Sequence, residues 1–345
     1  MKTALHYLRP VASIGSIALF IYLLQRTGPE AVLGSIRALG WGVVALILLS
    51  GVRHVLRAMA WSYCIQTDGG RPGAFTLLGP RLMGEALNDL TPAGPLLGEP
   101  GKVLAVSRLI PAQAGASSVV IENLIYALGA LLFMLSGLVL AFVKLAALRG
   151  SWWIGGGLVI CFAAPIAIVY WTITRRILLL GRLLDCLKQS GLRWAFLERH
   201  QQSIRAVEKS VYDFFLNRSC AFLAIFAIEI ATNFTGVCEA YLILRVATAH
   251  TSLLAAYLVE SGSRAAQLAF SFVPLGLGVQ EGAAAATLRS LGYAASEGVS
   301  LAIIRKIRTI FWAAVGLFFV ARYSMASPPK ERGVMPAGER IAVQV

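Results

Sequence analysis

Residues 91–99 read Thr91-Pro92-Ala93-Gly94-Pro95-Leu96-Leu97-Gly98-Glu99, and residues 273–281 read Val273-Pro274-Leu275-Gly276-Leu277-Gly278-Val279-Gln280-Glu281. Three identities recur at one fixed spacing: Pro92 with Pro274, Gly94 with Gly276, and Glu99 with Glu281. Each stretch follows a weakly apolar segment of helix length. Each is followed by a short helix and then a long apolar run. Proline and glycine at these places interrupt a helix, so both regions read as broken helices rather than single spans.

The surroundings decide what such a break means. The chain has 345 residues, of which 57% are apolar and only 14% charged, with a mean hydropathy of +0.72. Its apolar residues come in long blocks, as membrane spans require. The net charge is +14. In this setting basic loops hold a membrane protein's orientation and touch anionic headgroups. No basic patch sits outside a membrane context, so nucleic acid is not an expected partner. The five cysteines, Cys64, Cys161, Cys186, Cys220 and Cys238, are scattered and read as small core residues. The four histidines are equally dispersed, so neither a metal site nor a cofactor is expected.

Spans are expected at about 11–25, 41–60, 115–143, 152–174, 219–244 and 297–322. Lys2 and Arg9 precede the first, and no small-residue cleavage site follows it, so it reads as retained. The interrupted regions are 73–109, with Pro80, Pro92, Pro95 and Pro100 as breaks, and 253–290, with Pro274. Nine Lys and Arg lie from Arg175 to Arg218, and residues 175–217 carry two apolar stripes at helical spacing. Ile177, Leu180, Leu184 and Leu187 form one; Ile204, Val207, Val211 and Phe214 form the other. They read as two amphipathic helices on the membrane surface. The tail at 326–345 is polar and Pro-rich, and reads as disordered.

The basic 175–217 segment should be cytoplasmic. Counting spans outward puts both termini in the cytoplasm, the hairpin at 73–109 entering from the cytoplasm, and that at 253–290 entering from outside. The fold class expected is therefore an all-α membrane protein. It is a polytopic helical bundle with two inverted repeats, each containing a re-entrant helical hairpin, an arrangement that recurs in transporters. A single transmembrane domain would cover 1–325, with repeat one at about 41–143 and repeat two at about 219–322.

Broken helices at membrane depth expose N–H and C=O groups and aim positive helix starts inward, which suits an anionic group such as a lipid phosphate. Ionisable residues inside a membrane are costly and default to functional candidates. The substrate or ion candidates are Asn88, Pro92, Gly94, Glu99, Lys102, Glu122, Pro274, Gly276, Gln280, Glu281 and Arg305. The phosphate candidates are Arg53, Arg57, Arg81 and Arg264. Structural alternatives stand beside them. Glu99 and Glu281 either cap the returning helices or bind an ion or headgroup, Glu122 and Arg305 pair with one another or serve the site, and Arg53 and Arg57 snorkel to the interface or meet a phosphate.

Gly84-Glu85-Ala86-Leu87-Asn88, running into Pro92, Gly94 and Gly98-Glu99-Pro100-Gly101-Lys102, resembles the first signature of the lysylphosphatidylglycerol synthase transmembrane (flippase-like) family. Pro274-Leu275-Gly276 to Gln280-Glu281-Gly282, then Leu291-Gly292 and a basic last span with Arg305, resembles its second. The resemblance covers about residues 10–325. It implies a flippase-like lipid module in a bacterial inner membrane, related to the membrane half of the multiple peptide resistance factor and to hopanoid-associated proteins. Where relatives carry paired glycines before the first acid, this chain has Leu97-Gly98. The resistance factor's aminoacyl transferase domain has no counterpart here, so aminoacyl transfer is not expected.

The expected function is movement of a phospholipid or related anionic or aminoacylated lipid between leaflets. The partners expected are membrane lipids, with a homo-oligomer compatible. The alternatives are an ion-coupled small-solute permease, or a membrane enzyme on a lipid-linked substrate. No P-loop, clustered Asp pair, HExxH or nucleophile elbow supports ATP use or catalysis.

Overall fold

The computed structural model describes residues 40–67, 70–91, 94–144, 195–247, 251–269 and 279–325, with isolated positions between 156 and 171. All regular structure among these residues is α-helical. The helices are α1 (Gly42–Cys64), α2 (Ala74–Leu90), α3 (Gly94–Val106), α4 (Ala112–Lys144), α5 (Ala195–Asn217), α6 (Ser219–Ala247), α7 (Leu253–Ala269), α8 (Val279–Ser290) and α9 (Ala295–Met325). Spans one and four of the sequence reading, the first surface stripe and the tail lie outside the described residues.

Three of these helices, α1, α4 and α6, are long and apolar enough to cross a membrane. Their patterning is that of membrane helices. On α1 the buried residues Leu46, Ser50, His54, Ala58 and Trp61 form a helical stripe, while Val44, Leu48 and Val52 are exposed. Polar and small residues face the bundle and large apolar ones face outward, where lipid is the solvent. Helix α9 has 31 residues but carries Arg305, Lys306 and Arg308 in its first half.

The region 73–109 is an antiparallel helix pair. Asn88 of α2 bonds Glu99 of α3, and Leu87 and Met83 lie over Gly101. Helix α2 ends at Leu90 and α3 begins at Gly94. Pro80 and Pro100, expected as breaks, lie inside α2 and α3. Each removes one backbone donor, and packing of the pair outweighs that loss. Pro95 is the second residue of α3, where a missing N–H costs nothing.

The second stripe of the 175–217 segment lies on α5, but it does not face a membrane surface. Val211 and Phe214 are buried with Trp61, Ile121 and Ile225, and α5 packs on α4. An apolar stripe has the same period whether protein or lipid covers it.

The element order α1–α4 recurs in α6–α9: a long helix, a 17-residue helix, a short helix and a long helix. Packing follows the same order. Helix α2 packs on α3 and on α9; α7 packs on α8 and on α4; α1 and α6 pack on each other. The α2–α9 and α7–α4 crossings each use a glycine. A Cβ on Gly316 of α9 would run into the Leu82 carbonyl and Ala86 of α2, and one on Gly137 of α4 into Ser261 of α7.

Candidate functional site: two buried ion networks

The first network lies among α1–α4. Glu122 of α4 is fully buried and accepts from Arg81 Nη1 at 3.0 Å and Arg57 Nη2 at 3.2 Å. Lys102 Nζ lies 3.9 Å from its other oxygen. Arg81 also donates to Glu85 at 3.0 Å, one helical turn along α2. Arg57 reaches the same Glu85 oxygen at 3.4 Å and stacks on the Tyr126 ring. His54 Nδ1 sits 2.8 Å from Glu85 Oε2. Arg57 is thus no snorkelling side chain. Carboxylates on α2 and α4 hold it within the bundle.

Glu99 lies beside this network. Its oxygens accept from Lys102 at 3.0 and 3.1 Å, from Asn88 at 3.3 Å and from Asn123 at 2.8 Å. It is the sixth residue of α3, so it does not cap that helix. Gly98 is where α3 meets α2, since a Cβ there would run into Asn88 and the Gly84 carbonyl. The single glycine of Leu97-Gly98 therefore supplies the close approach, while Leu97 points outward.

The second network lies among α6, α7 and α9. Arg305 donates to Glu260 at 2.5 Å and lies 3.6 Å from Glu239. Arg264 donates to Glu260 at 2.8 Å, one turn along α7. Arg308 donates to Glu239. Glu122 and Arg305 are therefore not partners of one another; each is the centre of its own network.

At four places the two networks carry opposite signs. Arg81 and Glu85 are the eighth and twelfth residues of α2; Glu260 and Arg264 are the eighth and twelfth of α7. Glu122 is the eleventh residue of α4, and Arg305 the eleventh of α9. Arg57 of α1 stands where Glu239 stands on α6. Sequence reasoning missed Glu239, although the spacing that relates the two Pro-Gly-Glu stretches also carries Arg57 onto it.

Of the remaining candidates, Arg53 has no ion pair among the described residues. Its electrostatic neighbours are Arg264, Arg308, Glu239 and Glu260, all in the second half. Asp89, also without a pair, lies near Arg53, Arg57 and Arg308. Gln280 is the second residue of α8 and half-buried, and Gly94 is the first residue of α3. Pro92, Pro274, Gly276 and the side chain of Glu281 lie outside the described residues. Among the described residues no group of His, Cys, Asp and Glu could hold a metal ion. A separate cavity of about 450 Å³, lined by Phe75, Gly79, Arg108, Phe319, Arg322 and Tyr323, lies where the start of α2 meets the end of α9.

A helical bundle with membrane-spanning helices and this density of buried charge defines a multi-pass membrane protein. The chain belongs to the family described as the lysylphosphatidylglycerol synthase TM region, which matches residues 10–316. That membership ties it to membrane-lipid-related function. Comparison with curated proteins and with solved structures gives no match.

Proposed function

We propose that this protein is a flippase-like lipid transporter of a bacterial inner membrane, not an enzyme. Its halves would be inverted repeats, with the α2–α3 and α7–α8 pairs as re-entrant hairpins entering from opposite faces and both termini cytoplasmic. The observation that carries this reading is the pair of buried ion networks matched with reversed sign. Buried ion pairs add little net stability and are retained where they specify an arrangement. Two such networks, facing each other through α1 and α6, suit two bodies that shift relative to one another around a shared polar centre.

The substrate is an anionic phospholipid headgroup, its tails left in the bilayer. Arg53, without a carboxylate of its own and close to Arg264 and Arg308, is the phosphate ligand. The unpaired Asp89 can meet a cationic part of the headgroup. Glu99 accepts from Lys102, Asn88 and Asn123, which ties α3 to α2 and α4. The Arg108–Arg322 cavity would admit the headgroup from the side.

The test is leaflet exchange of labelled anionic and zwitterionic phospholipids in proteoliposomes. Wild-type protein is expected to exceed protein-free vesicles for at least one anionic lipid. Arg53→Gln should lower that rate by about tenfold, the loss of one charge-assisted contact. No exchange of any lipid by wild-type protein, or full exchange by Arg53→Gln, would overturn the reading. Flux of a water-soluble anion without lipid movement would mark a solute permease instead.

A further inference from the structure

Glu229 lies on α6 at the junction of the halves and is 1% exposed. Neither carboxylate oxygen has a hydrogen-bond partner among the described residues. One turn further along, Asn233 is 4% exposed and its Oδ1 is likewise unpartnered. Both face Gly129 of α4, where the missing side chain leaves room: a Cβ there would stand 3.4 Å from Glu229 Cβ and 3.8 Å from Asn233 Nδ2. Every other buried carboxylate of the two networks has a cation within ion-pair distance.

The charges around Glu229 come from each helix packed on α6. Helix α1 presents Arg57, α4 presents Glu122 with Tyr126 nearby, and α7 presents Arg264 with Glu260; Arg81 of α2 lies behind Glu122. Helix α9 presents Arg305 and Arg308, both engaged by Glu239. Helix α5 touches α6 through Phe215 against Phe222, about two turns away. Of the cations around Glu229 that already hold a carboxylate, Arg57 makes the longest bonds. Its bonds to Glu122 and Glu85, at 3.2 and 3.4 Å, are long for charge-assisted contacts, typically about 2.7–2.9 Å. Its buried Nε has no partner.

A bare carboxylate in such a place is strongly disfavoured, whereas a carboxylic acid is tolerated. We propose that Glu229 is a proton-binding site joining the halves. With the proton bound, the neutral acid leaves Arg57 to Glu122 and Glu85. When the O–H bond breaks and the proton leaves to water, the carboxylate draws Arg57 of the first half toward α6 of the second. Proton occupancy therefore sets which half holds Arg57.

The site can be read without any transport assay, so its failure is distinct from failure of the lipid-transport reading. Purified full-length protein is treated with dicyclohexylcarbodiimide, an apolar reagent that modifies protonated carboxyls, and each carboxyl is followed by peptide mass spectrometry. Glu229 should be modified at least about tenfold more than Glu122 or Glu260, with modification falling between about pH 5 and about pH 9. In parallel, infrared difference spectra across the same range should show a carboxylic-acid C=O band that Glu229→Gln removes. The Gln variant, an isostere of the acid form, should melt within a few degrees of wild type under acidic conditions. Modification of Glu229 no greater than that of the paired carboxylates, with no band lost in Glu229→Gln, would overturn the proposal. Protection of Glu229 by sodium ion at constant pH would overturn it in favour of a cation site.

Discussion

In the first half, one carboxylate serves several cations; in the second, the cation at the matched place is shared by carboxylates that have other partners. Glu122 accepts from Arg57 and Arg81 and faces Lys102, while Arg305 sits between Glu239 and Glu260. Glu239 keeps Arg308, and Glu260 keeps Arg264. The backbone plan needs opposite charges at four places but does not care which helix carries which sign. A buried pair is symmetric to exchange of its members as long as geometry and desolvation are met. The halves differ in the charge balance a loss would leave: without Glu122, three cations remain on Glu85 and Glu99, whereas without Arg305, Glu239 and Glu260 each keep one cation.

The largest effect should come from Glu122→Ala, which leaves Arg57 and Arg81 to share Glu85 and Lys102 with Glu99 alone, one buried positive charge in excess. About 3–5 kcal/mol of stability should be lost in reversible detergent unfolding. Arg305→Ala should cost clearly less, about 1–3 kcal/mol, because both of its carboxylates retain a guanidinium. Equal losses would break the asymmetry. Double-mutant cycles come next. Arg81→Ala with Glu122→Ala should show a coupling of about 1–3 kcal/mol, whereas Glu122→Ala with Arg305→Ala should add to within about 0.5 kcal/mol. A large coupling in the second cycle would mean that the networks are one.

The crossings between halves give a smaller test. Gly316→Ala puts a methyl into the Leu82 carbonyl of α2 and should cost about 1–3 kcal/mol, matched by Gly137→Ala against Ser261. A loss at only one crossing would show that the halves pack unequally. Smallest is Trp312→Phe, which removes the 2.7 Å bond from the indole to Ser50 of α1 while keeping a ring against His54. About 1 kcal/mol is expected in the same unfolding measurement.

Much of this arrangement is legible in the chain itself. Hydropathy placed α1, α4, α6 and α9 to within a few residues, because lipid-facing helices must be long and apolar. The break at 91–93 is announced by Pro92 and Gly94, and the helix order by the repeated Pro-Gly-Glu stretches. The site was legible only as a roster. Arg57, Arg81, Glu99, Lys102, Glu122, Arg264 and Arg305 stand out because charge is rare in apolar segments. Glu239 was lost in the same background, with no local motif to mark it.

The sequence by itself determined that this is a multi-pass helical membrane protein of two similarly ordered halves. Hydropathy and helix-breaking chemistry are local properties, and they survive without knowledge of neighbours. Only the tertiary structure decided which charge meets which. It sent Arg57 to Glu85 and Glu122 rather than to the interface, kept Glu122 and Arg305 apart, and turned the α5 stripe onto protein. It also left Glu229 with no hydrogen-bond partner among the described residues. Pairing depends on distances between helices far apart in the chain, and a one-residue rotation of α1 or α6 would redirect Arg57 or Glu229 by about 100°. The apolar period of either helix is nearly indifferent to such a turn, so hydropathy could not have fixed it.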